Sequence, residues 1–239
     1  MRDTAKPYVT TADVSVRMFR SGLLEALSHV HPAVPHLLFL PVVAWCLWAA
    51  PTTPAQSAAL VLGGVLLWTL VEYLVHRFLF HSGDVVMEET HAVVARLAPG
   101  EPVLPALPSW RHRLYFIAHG VHHEYPSDST RLVIPPGASV PLAALFYFAF
   151  RALAGAAAPA LFAGFVLGYL AYDTIHFAVH HQGLPTAWGR YLKRRHARHH
   201  FVDADEDYGV STPLWDVVLG TFSGGPARRR AAGEGGHER

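Results

Sequence analysis

The chain has 239 residues and a mass of 26.2 kDa, which suits one domain of ordinary size. Hydrophobic residues make up 51% of it and charged residues only 15%, where an average soluble domain carries about 25%. This composition argues against a soluble globule and indicates a polytopic membrane protein. A net charge of +1 argues against a nucleic-acid partner, and the single cysteine excludes a disulfide framework.

Four apolar stretches are candidates to cross a membrane, because a span needs about 20 apolar residues. Short links pair them into two hairpins, and they cover about residues 33–50, 57–75, 138–154 and 156–175. The predicted fold class is all-α, with a membrane domain over 33–221. Residues 1–32 form a cytosolic tail, in which 18–29 is either an amphipathic helix on the membrane surface or an ordinary capped helix. Residues 222–239 are predicted to be a basic, disordered tail.

The distribution of positive charge predicts the orientation of the spans. Of the 19 Lys and Arg residues, only Arg151 lies on the side opposite to the rest. Both termini and the central polar region are therefore expected to be cytosolic, and no signal peptide is expected ahead of the first span. The strong preference for arginine over lysine is typical of a GC-rich bacterial genome, which would make the membrane the bacterial plasma membrane.

Histidine is the outlier of the composition, with 17 copies. Ten of them form four short groups in a repeated order, since each half of the chain has an apolar hairpin, a histidine pair and then HxxHH. The strings are HRFLFH and HGVHH in the first half and HFAVH and HARHH in the second. The ten residues are His76, His81, His119, His122, His123, His176, His180, His196, His199 and His200.

The spacing of these histidines gives them a chemical meaning. Residues three and four apart share one face of a helix, so most of the histidines in a group can converge. His76 and His81 are five apart, a wider separation of roughly 140° that still allows both to face a central ion from one helix end. If the second and fourth spans continue as helices, all four groups meet in one cytosolic cap, where ten imidazoles suit two metal ions. Imidazole favours iron, zinc, copper and nickel, and ligand type alone does not choose among them.

The strings around these histidines resemble the fatty acid hydroxylase/sterol desaturase superfamily, and more closely its fatty acid 2-hydroxylase branch. The likeness extends over EYLVHRFLFH, HGVHHEYPSDSTRLVIPP, GYLAYDTIHFAVHH and RHARHHFVDADEDYGVSTPLWDVVLGT. The resemblance implies four spans with a cytosolic cap and a dimetal centre of two iron ions held by the ten histidines. Zinc is expected to be able to occupy the site in isolated protein.

The resemblance also implies a reaction, the O2-dependent hydroxylation of carbon 2 in a long-chain fatty acyl lipid with external electrons. Eukaryotic members often carry a fused cytochrome b5 domain, for which residues 1–16 are too short, so a separate cytochrome b5-like or ferredoxin-like donor is expected. The long interval from His81 to His119 predicts an inserted loop over 82–109. Glu72, Tyr73 and Asp173 lie beside the expected ligands and are candidates to orient their imidazole N–H groups.

Two other functions stay open at the level of sequence. The same dimetal centre could desaturate or hydroxylate a sterol, a carotenoid or another lipid, since the outcome depends on the shape of the pocket. A divalent-metal transporter would also contain spans and histidines, but it needs polar ligands along a path inside the membrane. The histidines here cluster at the cytosolic ends of the spans, which favours the enzyme.

Overall fold

The structure, a computed structural model, describes residues 8–81 and 83–224, and every element of regular structure in these ranges is helical. The predicted all-α class is therefore confirmed for this part of the chain. Residues 225–239, which include most of the predicted basic tail, lie outside the described residues. The helices are α1 Gly22–Ser28, α2 Val34–Ala49, α3 Pro54–Leu74, α4 Asp84–Val94, α5 Val103–Ala106, α6 Trp110–Tyr115, α7 Val121–Glu124, α8 Pro136–Ala154, α9 Ala158–His181, α10 Ala187–Phe201 and α11 Leu214–Leu219.

Two short π-helical segments interrupt this pattern. The first, Val75–Phe80, directly continues α3, and the second, Phe116–Gly120, joins α6 to α7. A π-helix pairs each residue with the residue five positions further on, and such segments occur frequently at functional sites. Both segments contain histidines of the predicted metal site, so the helix geometry changes where the candidate ligands lie.

Prolines and capping residues define where the apolar helices begin. At the start of α3, the Thr53 side chain accepts a hydrogen bond from the Gln56 amide and the Gln56 side chain accepts one from the Thr53 amide. Pro54 occupies the first turn, where its missing N–H is not needed. Gly155, with φ of +55°, ends α8 and lets the chain turn into α9.

The helix α9 lies at the centre of the apolar core and packs against α2, α3 and α8. Aromatic contacts join it to all three helices, with Phe162 against Phe150 of α8, Tyr169 against Phe39 of α2 and Phe165 against Trp68 of α3. The runs Pro54–Phe80 and Pro136–His181 are apolar and long enough to cross a membrane, and Val34–Ala49 is a shorter apolar helix. The four predicted spans correspond to α2, α3, α8 and α9, and their crossing of a membrane stays a prediction.

The backbones of α3 and α9 touch where two glycines meet. A Cβ on Gly64 would lie 2.2 Å from the Leu161 carbonyl oxygen, and a Cβ on Gly164 would lie 2.1 Å from that of Val61. Small residues allow apolar helices this close approach. The contact sets the distance between the two helices that carry His76 and His176 at their ends.

The segment 82–109 differs from the predicted loop, because much of it is helical. It contains α4 and α5, and its residues Val94, Val103 and Leu107 enter a second hydrophobic core together with Met18 and Phe116. The backbone amides of Val103 and Leu104 donate hydrogen bonds to carbonyl oxygens of the N-terminal segment. This segment therefore supports the helices that carry the HGVHH histidines.

Candidate metal centre

The structure brings all ten predicted histidines together as two groups of five. Within each group, one ring nitrogen of every histidine lies within 4.8 Å of the others, and nine of the ten residues are buried. We call these sets group 1 and group 2. Group 1 contains His76, His81, His119, His123 and His199. Group 2 contains His122, His176, His180, His196 and His200.

The π-helical segment after α3 explains how the HRFLFH pair converges. The backbone amide of His81 donates to the carbonyl oxygen of His76, at 3.2 Å, which is the five-residue hydrogen bond of a π turn. This turn places both residues on one face, so the ordinary helical separation expected from the sequence does not apply. The two imidazole rings lie 5.0 Å apart between centroids, in the same group.

Each HxxHH string contributes to both groups. In HGVHH, His119 and His123 are four apart and enter group 1, whereas His122 faces group 2. In HARHH the assignment is reversed, since the residues four apart enter group 2 and His199 enters group 1. Adjacent histidines on a helix point to different sides, and the two strings therefore link the groups into one centre.

The separations between ring nitrogens fit ligands of a metal ion. In group 1 the Nε2 atoms of His119 and His123 are 2.9 Å apart, and in group 2 those of His180 and His196 are 2.8 Å apart. Two nitrogens bound at about 2.1 Å and at right angles lie about 3.0 Å from each other. At these distances the nitrogen lone pairs repel one another, whereas a cation between the rings would attract all of them. An all-imidazole donor set suits iron or zinc.

Burial keeps these imidazoles in the neutral form that binds metals. It lowers the pKa of His199 to about 4, although a hydrogen bond to the Glu206 carbonyl oxygen partly opposes this shift. Burial first, and the charge of neighbouring histidines second, hold the pKa of six further imidazoles well below the ordinary value of 6.5. These are His81, His119, His122, His123, His196 and His200.

Two backbone carbonyls orient histidines of group 1. The Nδ1–H of His76 donates to the carbonyl oxygen of Tyr208 at 2.5 Å, and that of His199 donates to the carbonyl oxygen of Glu206 at 2.8 Å. In a neutral imidazole, this leaves the lone pair on Nε2, which faces the group. These two carbonyls could not be predicted, because a backbone carbonyl has no signature in the sequence.

The structure gives the predicted orienting residues Glu72 and Tyr73 other partners. The carboxylate of Glu72 accepts hydrogen bonds from the amides of Val210 and Ser211, at 2.7 and 2.9 Å, and from the Ser211 hydroxyl. The Tyr73 hydroxyl contacts Thr221 and accepts a hydrogen bond from Arg77. Both side chains therefore hold the segment that follows Tyr208, and their link to His76 runs through the backbone of that segment.

Asp173 lies one helical turn before His176 on α9 and is 1% exposed. Neither of its carboxylate oxygens forms a hydrogen bond to another described residue. Asp173 therefore has no hydrogen bond to a candidate ligand. Three of the histidines that the sequence left outside the metal site have partners elsewhere. His91 pairs with Glu124, His112 with Glu89, and His29 contacts Thr130.

Over the described residues, fold and site together define an all-helical domain with a centre of ten histidines that could hold metal ions. A family model described as fatty acid hydroxylase matches residues 108–221. A dihydroceramide fatty acyl 2-hydroxylase of Arabidopsis thaliana is 33% identical over 219 residues, which cover 90% of this chain and 83% of the relative. The chain belongs to the fatty acid hydroxylase family, as its histidine strings predicted.

Two further comparisons agree with this assignment. The ceramide very long chain fatty acid hydroxylase of Saccharomyces cerevisiae is 37% identical over 206 residues, which cover 85% of this chain and 48% of the yeast protein. A solved structure described as full-length scs7p, with only the hydroxylase domain visible, matches with a TM-score of 0.72 and 35% identity. That match covers 85% of this chain and 70% of the solved chain.

Proposed function

We propose that the protein is a di-iron membrane monooxygenase that hydroxylates carbon 2 of a long-chain fatty acyl lipid. The observation that carries this proposal is the convergence of ten imidazoles in two groups of five, in a chain of the fatty acid hydroxylase family. Each group would hold one iron ion through the Nε2 atoms that face it. Zinc fits the same nitrogen donors and would compete for the site in isolated protein.

The reaction requires reagents from outside the chain. Converting a C–H bond and O2 into C–OH and water consumes two electrons and two protons. Bound iron supplies the activation of O2 that side chains cannot provide. The electrons come from a separate donor, which we propose to be a cytochrome b5-like or ferredoxin-like protein.

The residues of the chain provide position and exclusion of water. The carbonyl oxygens of Glu206 and Tyr208 hold two imidazoles with their lone pairs toward group 1. Group 2 receives His176 and His180 from the end of α9, the central helix of the apolar core. The centre thus lies where the apolar helices end, a place that suits a substrate whose acyl chain is dissolved in the lipid.

The names of the relatives support an acyl lipid as substrate. The plant relative is a dihydroceramide fatty acyl 2-hydroxylase and the yeast relative a ceramide very long chain fatty acid hydroxylase. We therefore propose position 2 of a fatty acyl chain as the site of reaction. A sterol or carotenoid substrate has no comparable support, and the gathering of the histidines at one end of the helices argues against a metal transporter.

We also propose a topology and a domain layout for the whole chain. The helices α2, α3, α8 and α9 span the bacterial plasma membrane, and both termini and the histidine centre are cytosolic. The lengths of α8 and α9, 19 and 24 residues, support two crossings joined by the turn at Gly155. The hydroxylase domain covers 33–221, between a cytosolic tail over 1–32 and a basic tail over 222–239.

Expression in a host without 2-hydroxylated acyl chains tests the function. Lipid mass spectrometry should detect 2-hydroxy acyl lipids with the unchanged chain, and none with His122→Ala or His199→Ala, which remove one ligand from each group. His31→Ala changes an exposed histidine outside both groups and serves as the matched control. Full product from both ligand variants, at equal expression, would contradict the proposed centre.

A further inference from the structure

The two histidine groups differ in how their outer nitrogens are bound. In group 1, His76 and His199 each donate Nδ1–H to a backbone carbonyl, and the Nδ1 atom of His81 is buried without a hydrogen-bond partner among the described residues. In group 2, the Nδ1 atoms of His122, His196 and His200 are buried without a hydrogen-bond partner among the described residues. Hydrogen-bond acceptors such as the two carbonyls of group 1 fix the orientation of a metal-binding imidazole. The segment that carries the two carbonyls therefore acts on group 1.

That segment contains an unusual backbone conformation. Asp207, between the two carbonyl-bearing residues Glu206 and Tyr208, has φ of +58°. Residues other than glycine, asparagine and aspartate rarely adopt this left-handed backbone conformation. The turn at Asp207 sets the direction of one carbonyl relative to the other, so its conformation determines whether His76 and His199 can be held at the same time. Backbone strain of this sort persists only where the surroundings enforce it.

A buried arginine holds Asp207 in this conformation. Arg195 lies on α10, and its Nη2 atom is 3.0 Å from Asp207 Oδ1 and 2.8 Å from Asp216 Oδ2. Its Nη1 donates to the Gly209 carbonyl oxygen at 3.1 Å. Asp216 in turn accepts hydrogen bonds from the amides of Tyr208 and Gly209, both at 2.9 Å. All three residues are buried, with no more than 5% of their surface exposed.

The network also joins the segment to the ligand helix. Arg195 is four residues before His199 on α10, so the two side chains lie on the same face of that helix. The guanidinium group binds the segment whose Glu206 carbonyl accepts the hydrogen bond of His199. Arg195 thus holds the carbonyl segment against α10, and with it the Glu206 carbonyl that orients the His199 imidazole.

We propose that Arg195, Asp207 and Asp216 are positioning residues for the metal of group 1, acting through the carbonyls that hold His76 and His199. The inference rests on the proposed metal centre. It predicts an effect confined to one group, because the network orients no imidazole of group 2 through a described hydrogen bond. General destabilisation of the fold would instead weaken both groups.

Zn²⁺ is a suitable probe, with affinity measured by competition against a chromophoric chelator. Two backgrounds separate the groups, since His196→Ala with His200→Ala disables group 2, and His81→Ala with His123→Ala disables group 1. With group 1 intact, Asp207→Ala should weaken Zn²⁺ binding by about 10- to 100-fold. With only group 2 intact, the same substitution should change the affinity by less than about threefold.

Conservative variants distinguish positioning from folding. Asp207→Asn tolerates the left-handed conformation and keeps the Oδ1 acceptor, so it should retain most of the affinity of group 1. Asp207→Gly adopts the conformation without strain but lacks the partner of Arg195, and it should lose affinity even if Asp207→Ala does not fold. Asp128→Ala removes another buried aspartate that faces an arginine, Arg131, and should leave group 1 unchanged.

Each result decides the inference. It is supported if Asp207→Gly weakens group 1 alone and Asp207→Asn restores it. It is overturned if Asp207→Gly binds like the unchanged chain, if both groups weaken equally, or if Asp128→Ala weakens group 1 to the same extent. If the unchanged chain binds Zn²⁺ in neither group, the proposed metal centre is overturned as well. This outcome differs from a failure of the inference alone, because it is observed without any variant.

Discussion

The contact between α3 and α9 can be tested by one methyl group. Gly63 and Gly64 are neighbours on α3, but a Cβ at Gly64 would lie 2.2 Å from the Leu161 carbonyl oxygen and one at Gly63 would meet only the Leu161 side chain, at 3.9 Å. Gly64→Ala must therefore separate the helices by about 1.2 Å to reach ordinary van der Waals contact. Gly63→Ala requires no movement.

This separation should affect both stability and metal binding. Overpacking of a tight contact costs about 1–3 kcal/mol of unfolding free energy. A site of this kind tolerates about 0.5 Å of displacement, so a shift of about 1.2 Å between the helices that carry His76 and His176 should lower the metal content of both groups. Thermal unfolding in detergent and elemental analysis measure the two effects. Equal melting temperature and metal content for Gly64→Ala and Gly63→Ala would refute the reasoning.

Three further predictions concern the site and its surroundings. Glu72→Ala leaves the amides of Val210 and Ser211 without an acceptor and should cost about 2–5 kcal/mol in unfolding experiments, whereas Glu72→Gln keeps one oxygen for them and should cost less. Since the pKa of His199 is lowered to about 4 from 6.5, the unfolded chain binds more protons between these values. Unfolding of metal-free protein should therefore become easier as the pH falls from 6.5, by up to about 3 kcal/mol from this residue at pH 4, and constant stability would contradict its burial. Reporter fusions at both ends of the chain should give cytosolic signals, and a periplasmic C-terminus would contradict the proposed topology.

The apolar helices and the candidate ligands could be predicted from the sequence because both follow from simple periodicities. Predominantly apolar stretches of about 20 residues are rare in soluble domains, and each of the four corresponds to a helix of the structure. Histidines three and four apart fall on one helix face, which indicated that His119 would converge with His122 or His123, and His196 with His199 or His200. In the structure the residues four apart share a group.

The finer organisation of the site depends on contacts between distant parts of the chain. The spacing of His76 and His81 suggested a wide separation, and the π turn that joins them has no marker in the sequence. The assignment of His122 and His199 to the group opposite their neighbours follows from how α7 and α10 face each other. The orienting carbonyls of Glu206 and Tyr208 are backbone groups, so only the folded structure identifies them.

The segment 82–109 shows a similar limit. The long interval from His81 to His119 suggested a loop, although α4 begins within a few residues of His81. The helix forms because Val94 can be buried in a core whose other members include Met18 and Phe116. Those partners are remote in the sequence, and tertiary burial here outweighs the local signals for a loop.

The most direct test of the account follows the oxygen atom. Purified protein loaded with iron, supplied with a reductant, an acyl lipid and ¹⁸O₂, should form a product that carries one labelled oxygen on the carbon next to the carbonyl group. The same reaction with His199→Ala should form none, because group 1 lacks a ligand. A hydroxyl group without label, or a product lighter by two hydrogens and without new oxygen, would contradict the proposed hydroxylation.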